Sequence, residues 1–559
     1  MQVFRKWQYS LLVLFGLTAA ITACKNDSEP DPVLSITGIS PASAPVSSTV
    51  TISGTQFNAT PTSNTVTFGG NAVATILSAS PTQLVVTVPA GAQNGTISVA
   101  ANGQTTTSTQ AFSLSNRPVV TITGNITTNT TWTSGNVYLL QGFVNVDNGA
   151  TLTIQPGTII KGAGKEADPS GAQKGATLIV RPGAKISAVG TADAPIVFTS
   201  SKAAGSRAYG DWGGIVLIGK APINQPGSTL LEGGLGGTTG TYNEPADNSG
   251  VMQYVRIEFG GIALLAGSEI NGLTMYGVGS GTTIDHIQVS YSGDDSYEWF
   301  GGSVNMKYLI AYRGFDDDWD TDFGYSGKVQ YGVSLRDPNV ADQSASNGFE
   351  SDNFNNGFPA SGTNAGLPLT APVFANMSNF VFSGTPSAAS TSGGSGPYQS
   401  GMHLRRNTSI SIFNSVLAGY PEGLRLDSPA DVLTGSTLDN ATSNAMQLRG
   451  IVIANTNTPV RGAGRITNDQ ATAFFNTAAF KNQIIATSDI ATLLLNGDNF
   501  KLDAPNFLPQ ASSPLLQGAI WDGKGADGFF TKETFRGAFG TTDWTKGWAN
   551  FNPQATPYN

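Results

Sequence analysis

The phrase Gly149-Ala150-Thr151-Leu152-Thr153-Ile154-Gln155-Pro156-Gly157 returns as Gly175-Ala176-Thr177-Leu178-Ile179-Val180-Arg181-Pro182-Gly183, 26 residues later. Self-similarity at such a period is the signature of a solenoid, because one unit cannot bury its apolar side chains alone and must stack on its neighbours. Each copy places a few β-prone residues between glycine corners, so the repeating unit is a short strand rather than a helix. Later segments ending at Tyr291, Tyr312, Leu335, Phe382, Leu417 and Ile453 follow at steps of 21, 23, 47, 35 and 36 residues. Coils of roughly 22 residues with insertions account for these steps. The spacing predicts a right-handed parallel β-helix over residues 118–460, with strands stacked about 4.8 Å apart over an inward row of aliphatic and aromatic side chains. A large β-sandwich is the competing architecture, and the repeated phrase and glycine corners argue against it.

Composition agrees with many short strands and turns: 68 of 559 residues are glycine and only 12 % are charged. The formal charge of −9 leaves no basic stripe for a nucleic acid. After Gly462 the pattern changes. Asp469 to Ala478 and Ser488 to Leu495 read as helical, and Trp521, Trp544, Trp548 and Phe551 crowd the end. Residues 461–559 are therefore expected to cap the open last coil, as a solenoid requires, although Ser512 to Leu516 could add one more strand.

Between Val33 and Leu114, short alternating runs recur about every ten residues, the pattern of a small antiparallel sandwich. Ile39-Ser40-Pro41, Val50-Thr51-Ile52-Ser53-Gly54, Val66-Thr67-Phe68-Gly69-Gly70 and Val86-Thr87-Val88-Pro89 together resemble the IPT/TIG family of immunoglobulin-like domains. That resemblance implies a spacer or binding module over residues 35–115. Ser47-Ser48 departs from it, standing where the family often has glycine. The fold expected for the chain is thus all-β, an immunoglobulin-like sandwich followed by a β-helix with a C-terminal cap.

At the head, Arg5 and Lys6 precede an apolar core from Leu11 to Leu17, and Ile21-Thr22-Ala23-Cys24 resembles the lipobox of bacterial lipoproteins. The apolar stretch to Ala23 is 13 residues, short of the roughly 20 that span a bilayer. Residues 1–23 are expected to be a signal peptide, Cys24 the lipidated residue, and the polar run within 24–34 a flexible tether. Cys24 is the only cysteine, so its modification leaves none for disulfides, thiol chemistry or cysteine-bound zinc. Acidic residues just after it resemble the surface-export signal of Bacteroidetes lipoproteins, which implies an outer-membrane protein facing the exterior.

The segments Asp294-Asp295-Ser296-Tyr297-Glu298-Trp299 and Asp316-Asp317-Asp318-Trp319-Asp320-Thr321-Asp322 align at an offset of 22 residues, one coil. Strand alternation puts Asp316, Asp318, Asp320 and Asp322 on one face, with Asp294 and Glu298 above them and Glu350 and Asp352 as extensions. Carboxylates at 5–7 Å repel by roughly 0.6–0.8 kcal/mol per pair even in water. A hard cation relieves that repulsion, and stacked carboxylates suit Ca²⁺. The expected site is a Ca²⁺ site centred on Asp318 and Asp320. It is not an EF-hand, since Phe323 and Val329 stand where that loop needs glycine and glutamate. An ordinary charged surface neutralised by Arg313 and Arg336 is the competing account, and no organic cofactor is implied.

Gly293-Asp294-Asp295 resembles one motif of β-helix polygalacturonases, but their other motifs are missing here, so glycoside hydrolysis has little support. Polysaccharide lyases on this fold use Ca²⁺ with an arginine or lysine base, and the acidic ladder beside Arg313 favours its charged form instead. Alternation buries Tyr297 and Trp319 and leaves Tyr325, with Arg313 and Arg336, as candidate ligand contacts. Gly233 to Gly237 reads as a flexible lateral loop. As a whole the chain resembles Bacteroidetes surface lipoproteins that join an IPT/TIG domain to a pectate-lyase-like β-helix. The resulting expectation is a lipid-anchored protein that binds an extended glycan or matrix ligand, with a Ca²⁺-dependent lyase as the alternative.

Overall fold

The computed structural model describes residues 33–265, 268–353, 366–381, 398–428 and 436–558. Cys24, the signal segment 1–23 and the tether up to residue 32 lie outside the described residues. Among the described residues no helix is long and apolar enough to cross a membrane.

Residues 35–114 form a sandwich of a four-stranded and a five-stranded sheet. Alternation decides its core: Val50 and Ile52, Val66 and Phe68, Leu84 and Val86, and Ile97 and Val99 point inward in pairs two residues apart and are fully or almost fully buried. Ser47 takes a left-handed φ of 67°, so the position where the family often has glycine keeps the backbone that glycine favours. Buried Arg117 fastens the sandwich to the first coil by donating to the carbonyls of Gly157, at 2.8 Å, and Val46.

From Val119 onward, strands pair in parallel with the coils before and after them in one 26-stranded sheet. One face of the solenoid carries the functional argument. Its strands are β1 (Thr177–Val180), β2 (Gly214–Ile218), β3 (Leu273–Tyr276), β4 (Tyr297–Phe300), β5 (Trp319–Asp322), β6 (Phe349–Ser351), β7 (Ser400–Leu404), β8 (Glu422–Ser428) and β9 (Thr458–Gly464). Leu273, Tyr297, Trp319, Phe349, Met402 and Leu424 stack inward as one fully buried column.

The repeated phrase does not stack on itself. Thr151–Ile154 pairs with Lys185–Ala188, and Thr177–Val180 pairs with Phe143–Val146, so the two copies lie on different faces. A glycine corner followed by a short strand is a local unit that serves any face of the coil, so its recurrence reports the architecture but not the coil length. The offset of 22 residues between Glu298 and Asp320 is a true coil step.

The loop after β2, expected to be flexible, is packed. Leu231 and Leu235 join Ile179, Val216, Ile218, Tyr276, Phe300 and Phe323 in a buried cluster on the outer side of the face.

Residues 461–559 do not all cap the end. Helix Asn468–Phe475, started by a reciprocal capping box of Thr467 and Gln470, brings Phe474 and Phe475 into the main core, where Phe480 and Leu493 also lie. Pro514–Leu516 is a 3₁₀ turn rather than an added strand. From Ile520 the chain instead runs back along the flank as a strap. Side-chain amides hold it: Gln288 donates to the Asn550 carbonyl at 2.7 Å and accepts its N–H at 2.8 Å. Gln330 does the same for Thr531 at 2.8 and 2.9 Å, and Asn414 for Ile520 at 2.9 and 2.7 Å. Each pair mimics a backbone bridge and satisfies a buried amide. Tyr558 ends the strap by donating to buried Glu258 at 2.7 Å.

Candidate functional site

Parallel register converts sequence into columns on the outer side of this face. One column runs Val216, Thr274, Glu298, Asp320, Glu350, His403, Arg425 and Arg461, one residue from each of the strands β2 to β9. The face is therefore graded along the solenoid axis: apolar under the packed loop, acidic at the centre, and mixed beyond, where Arg425 and Arg461 share Glu422 at 3.2 and 2.6 Å and His403 lies 3.5 Å from both Glu350 and Asp427.

The acidic section is held by the corner before β4 and β5. Gly293 and Gly261 pass backbone against backbone there, and a Cβ on Gly293 would lie 2.4 Å from the Gly261 carbonyl oxygen. This contact sets Asp294 and Asp295 beside the next coil, where Asp295 accepts the Asp317 N–H at 2.8 Å. Asp294, Asp295 and Asp316 bring one oxygen each within 4.8 Å of one another, and Asp295, Glu298 and Asp320 do the same. Asp295 belongs to both groups. Asn271 adds a donor to Glu298, while its own Oδ1, together with Asp316 Oδ1 and Asp320 Oδ1, is buried without a hydrogen-bond partner.

Burial, followed by repulsion from neighbouring carboxylates, pushes Asp294, Asp295, Glu298, Asp317, Asp320 and Asp322 well above the usual carboxylate range. Burial likewise pushes Asp316 up to about 7, and Glu232, on the packed loop, to about 7. The ion pairs of this region belong to other carboxylates. Arg405 holds Glu350 and, at 2.7 Å, Asp352, and Arg406 also holds Asp352. Burial would raise Glu350, but Arg405 and His403 outweigh it and bring it down to about 2.

Several expected site residues lie elsewhere. Asp318 does not face out with Asp316, Asp320 and Asp322. It is fully buried and pairs with fully buried Arg336 at 3.0 Å. Strand alternation starts only at Trp319, and Asp318 belongs to the preceding corner, so counting in twos through it assigned the wrong side. It cannot be the centre of a cation site, and Arg336 is not a surface contact. Tyr325 is also buried, its hydroxyl donating to the Val304 carbonyl at 2.8 Å. Arg313 is engaged by Asp337 and lies over the Tyr291 ring. Asp294, Glu298, Asp316 and Asp320 do converge, and Asp322 stands in the adjacent outward position of β5. Sequence reasoning missed Asp295, Asp317 and Asn271. The 22-residue offset relates Asp295 to Asp317, and this was the signal that could have found both.

The donor set is all oxygen, rich in carboxylates and short of hydrogen bonds, which fits a hard divalent cation such as Ca²⁺.

Residues 34–114 match the IPT/TIG domain. No curated protein matches the chain. Two solved structures from Bacteroides thetaiotaomicron VPI-5482 match short portions. One, a structural genomics protein of unknown function, is 18 % identical over 16 % of this chain and 23 % of that one, with a TM-score of 0.15. The other, an auxiliary nutrient binding protein, is 22 % identical over 16 % of this chain and 22 % of that one, also with a TM-score of 0.15. The match thus spans less than a quarter of either protein. Residues 124–493 match the pectate-lyase like beta helix domain, and the chain belongs to that family.

Proposed function

We propose that this is a lipid-anchored protein of the outer cell surface that binds an extended acidic glycan along the graded face, with Ca²⁺ in the carboxylate cluster. The observation that carries the reading is the convergence of Asp294, Asp295, Glu298, Asp316 and Asp320 into two overlapping groups whose oxygens lie within 4.8 Å, in a column that continues through His403, Arg425 and Arg461. A cation on Asp295, Glu298 and Asp320 lowers the negative charge of the acidic section and offers open coordination positions to the carboxylate and hydroxyl oxygens of a glycan. The anchor at Cys24 and the sandwich would hold this face away from the membrane.

A lyase would need an uncharged arginine or lysine as base. Arg313, Arg336 and Arg405 are each buried, which disfavours their charge, but neighbouring carboxylates and tyrosines outweigh burial and keep them protonated more firmly than usual. Binding is therefore preferred to catalysis.

The test is thermal unfolding of the full-length chain in mild detergent, with excess Ca²⁺ and then with chelator. Saturation at a hundredfold excess over Kd adds about 2.7 kcal/mol to stability. The shift should vanish in Asp295→Asn and Asp320→Asn. No shift in the unaltered protein removes the cation, and unsaturated products from uronate polymers in the presence of Ca²⁺ would replace binding by lyase chemistry.

A further inference from the structure

Where the strap turns between Ala538 and Trp544, a cleft of about 330 Å³ opens against the solenoid. It lies on a different flank from the graded face, on the coil segments that include Asn305–Tyr312 and Lys328–Leu335. Along this flank Tyr254, His286, Tyr308 and Tyr331 stack as a column, with ring separations of 4.3, 4.4 and 4.8 Å. All four occupy the same left-handed corner, with φ between 50° and 64°, which keeps their rings in register from coil to coil.

Tyr308 and Tyr331 form the solenoid wall of the cleft, and Glu533, Phe535 and Trp544 the strap wall. Hydrogen bonds fix both walls. The Tyr331 hydroxyl donates to Glu533 at 2.7 Å, Asn376 donates to the Phe535 carbonyl at 3.0 Å, and the Trp544 indole donates to the Ala538 carbonyl at 2.9 Å. Thr541 and Thr542 add exposed hydroxyls at the rim.

This chemistry selects among ligands. Glu533 disfavours anions. A quaternary-ammonium cage needs several open ring faces at once, but His286 and Tyr331 cover both faces of Tyr308, and Phe539 takes one face of Trp544 at 5.1 Å. The Lys307 ammonium, 6.0 Å from the Tyr331 ring centre, repels a cation as well. What remains is a neutral polyol with apolar C–H patches. Phe535 and Trp544 supply the apolar contact, and Glu533 and the threonines supply hydroxyl partners. The volume lies at the small end of ligand-sized pockets, roughly 300–1,000 Å³.

We propose that this cleft binds one neutral pyranose residue, as a second sugar site independent of the cation cluster. The test is saturation-transfer NMR on the full-length chain with methyl β-glucoside, methyl β-galactoside and methyl α-mannoside, with choline and galacturonate as counter-probes. At least one glycoside should bind, and binding should survive a chelator, which separates this site from the Ca²⁺ reading. Glu533→Gln, which keeps a partner for the Tyr331 hydroxyl, and Trp544→Leu should each weaken binding about tenfold, the loss of one charge-assisted hydrogen bond or one apolar wall. Silence from all three glycosides, binding of choline instead, or unchanged affinity in both variants overturns the proposal.

Discussion

Asp318 and Arg336 form an ion pair at 3.0 Å in which neither side chain has any exposure. Arg336 also donates to the Asn347 carbonyl at 3.0 Å and lies over the Tyr398 ring, while Tyr420 donates to Asp318 at 3.2 Å. Removing one partner strands a charge in the core, which costs about 3–5 kcal/mol, whereas removing both often costs little. Arg336→Met is therefore expected to lower the denaturant midpoint sharply, and Asp318→Leu combined with Arg336→Met to regain much of the loss. Equal midpoints for the single and double variants would contradict this account.

The carboxylate cluster makes stability fall as pH rises. Asp316 titrates at about 7 in the fold against an ordinary 3.8, and Glu232 at about 7 against 4.5. A carboxyl whose folded value is raised contributes stability that is complete below its unfolded value and is lost as pH climbs through the folded one. Without a divalent cation, the melting temperature should fall between about pH 4 and pH 8. With Ca²⁺ it should fall less, since the cation favours the ionised forms. Glu350, lowered to about 2 from 4.5, acts in the opposite sense, and its contribution is lost only as pH falls below that interval. Parallel melting curves with and without Ca²⁺ across the range would refute the linkage.

The strap depends on its amides. Gln330→Ala removes both bonds to Thr531 and leaves that backbone unpaired, at a cost of about 1–3 kcal/mol. Hydrogen exchange should accelerate around Thr531 while the inward column of Tyr297, Trp319 and Phe349 stays protected. Uniform acceleration through the core would mean that strap and solenoid open as one unit.

If Cys24 carries the lipid, Cys24→Ser should move the protein from the detergent phase to the aqueous phase in a phase-partition assay. Continued partition into detergent would assign membrane attachment to another segment.

The architecture was legible because coil units are local: glycine corners, short β-prone runs and the 22-residue offset all survive without knowledge of the partner strand. The register was not, since the same Gly-Ala-Thr-Leu unit serves two faces and only long-range pairing distinguishes them. The acidic cluster was found and its centre misplaced by one residue type of error: alternation holds inside a strand and fails at a corner, which turned Asp318 inward and hid Asp295. The aromatic cleft escaped because Tyr308 and Tyr331 become one of its walls only when Trp544 returns from far along the chain.

The strap also orders events in time. Coils can stack as they emerge during synthesis, but Gln288, Gln330 and Asn414 lack their backbone partners until the segment from Ile520 onward exists, and Glu258 waits 300 residues for Tyr558. Contacts of such separation close late, because the chain entropy they cost must be met before they stabilise anything. A product that stopped before Ile520 would carry a row of bare amides down one flank, so the filled flank reports that the chain has been made through Tyr558.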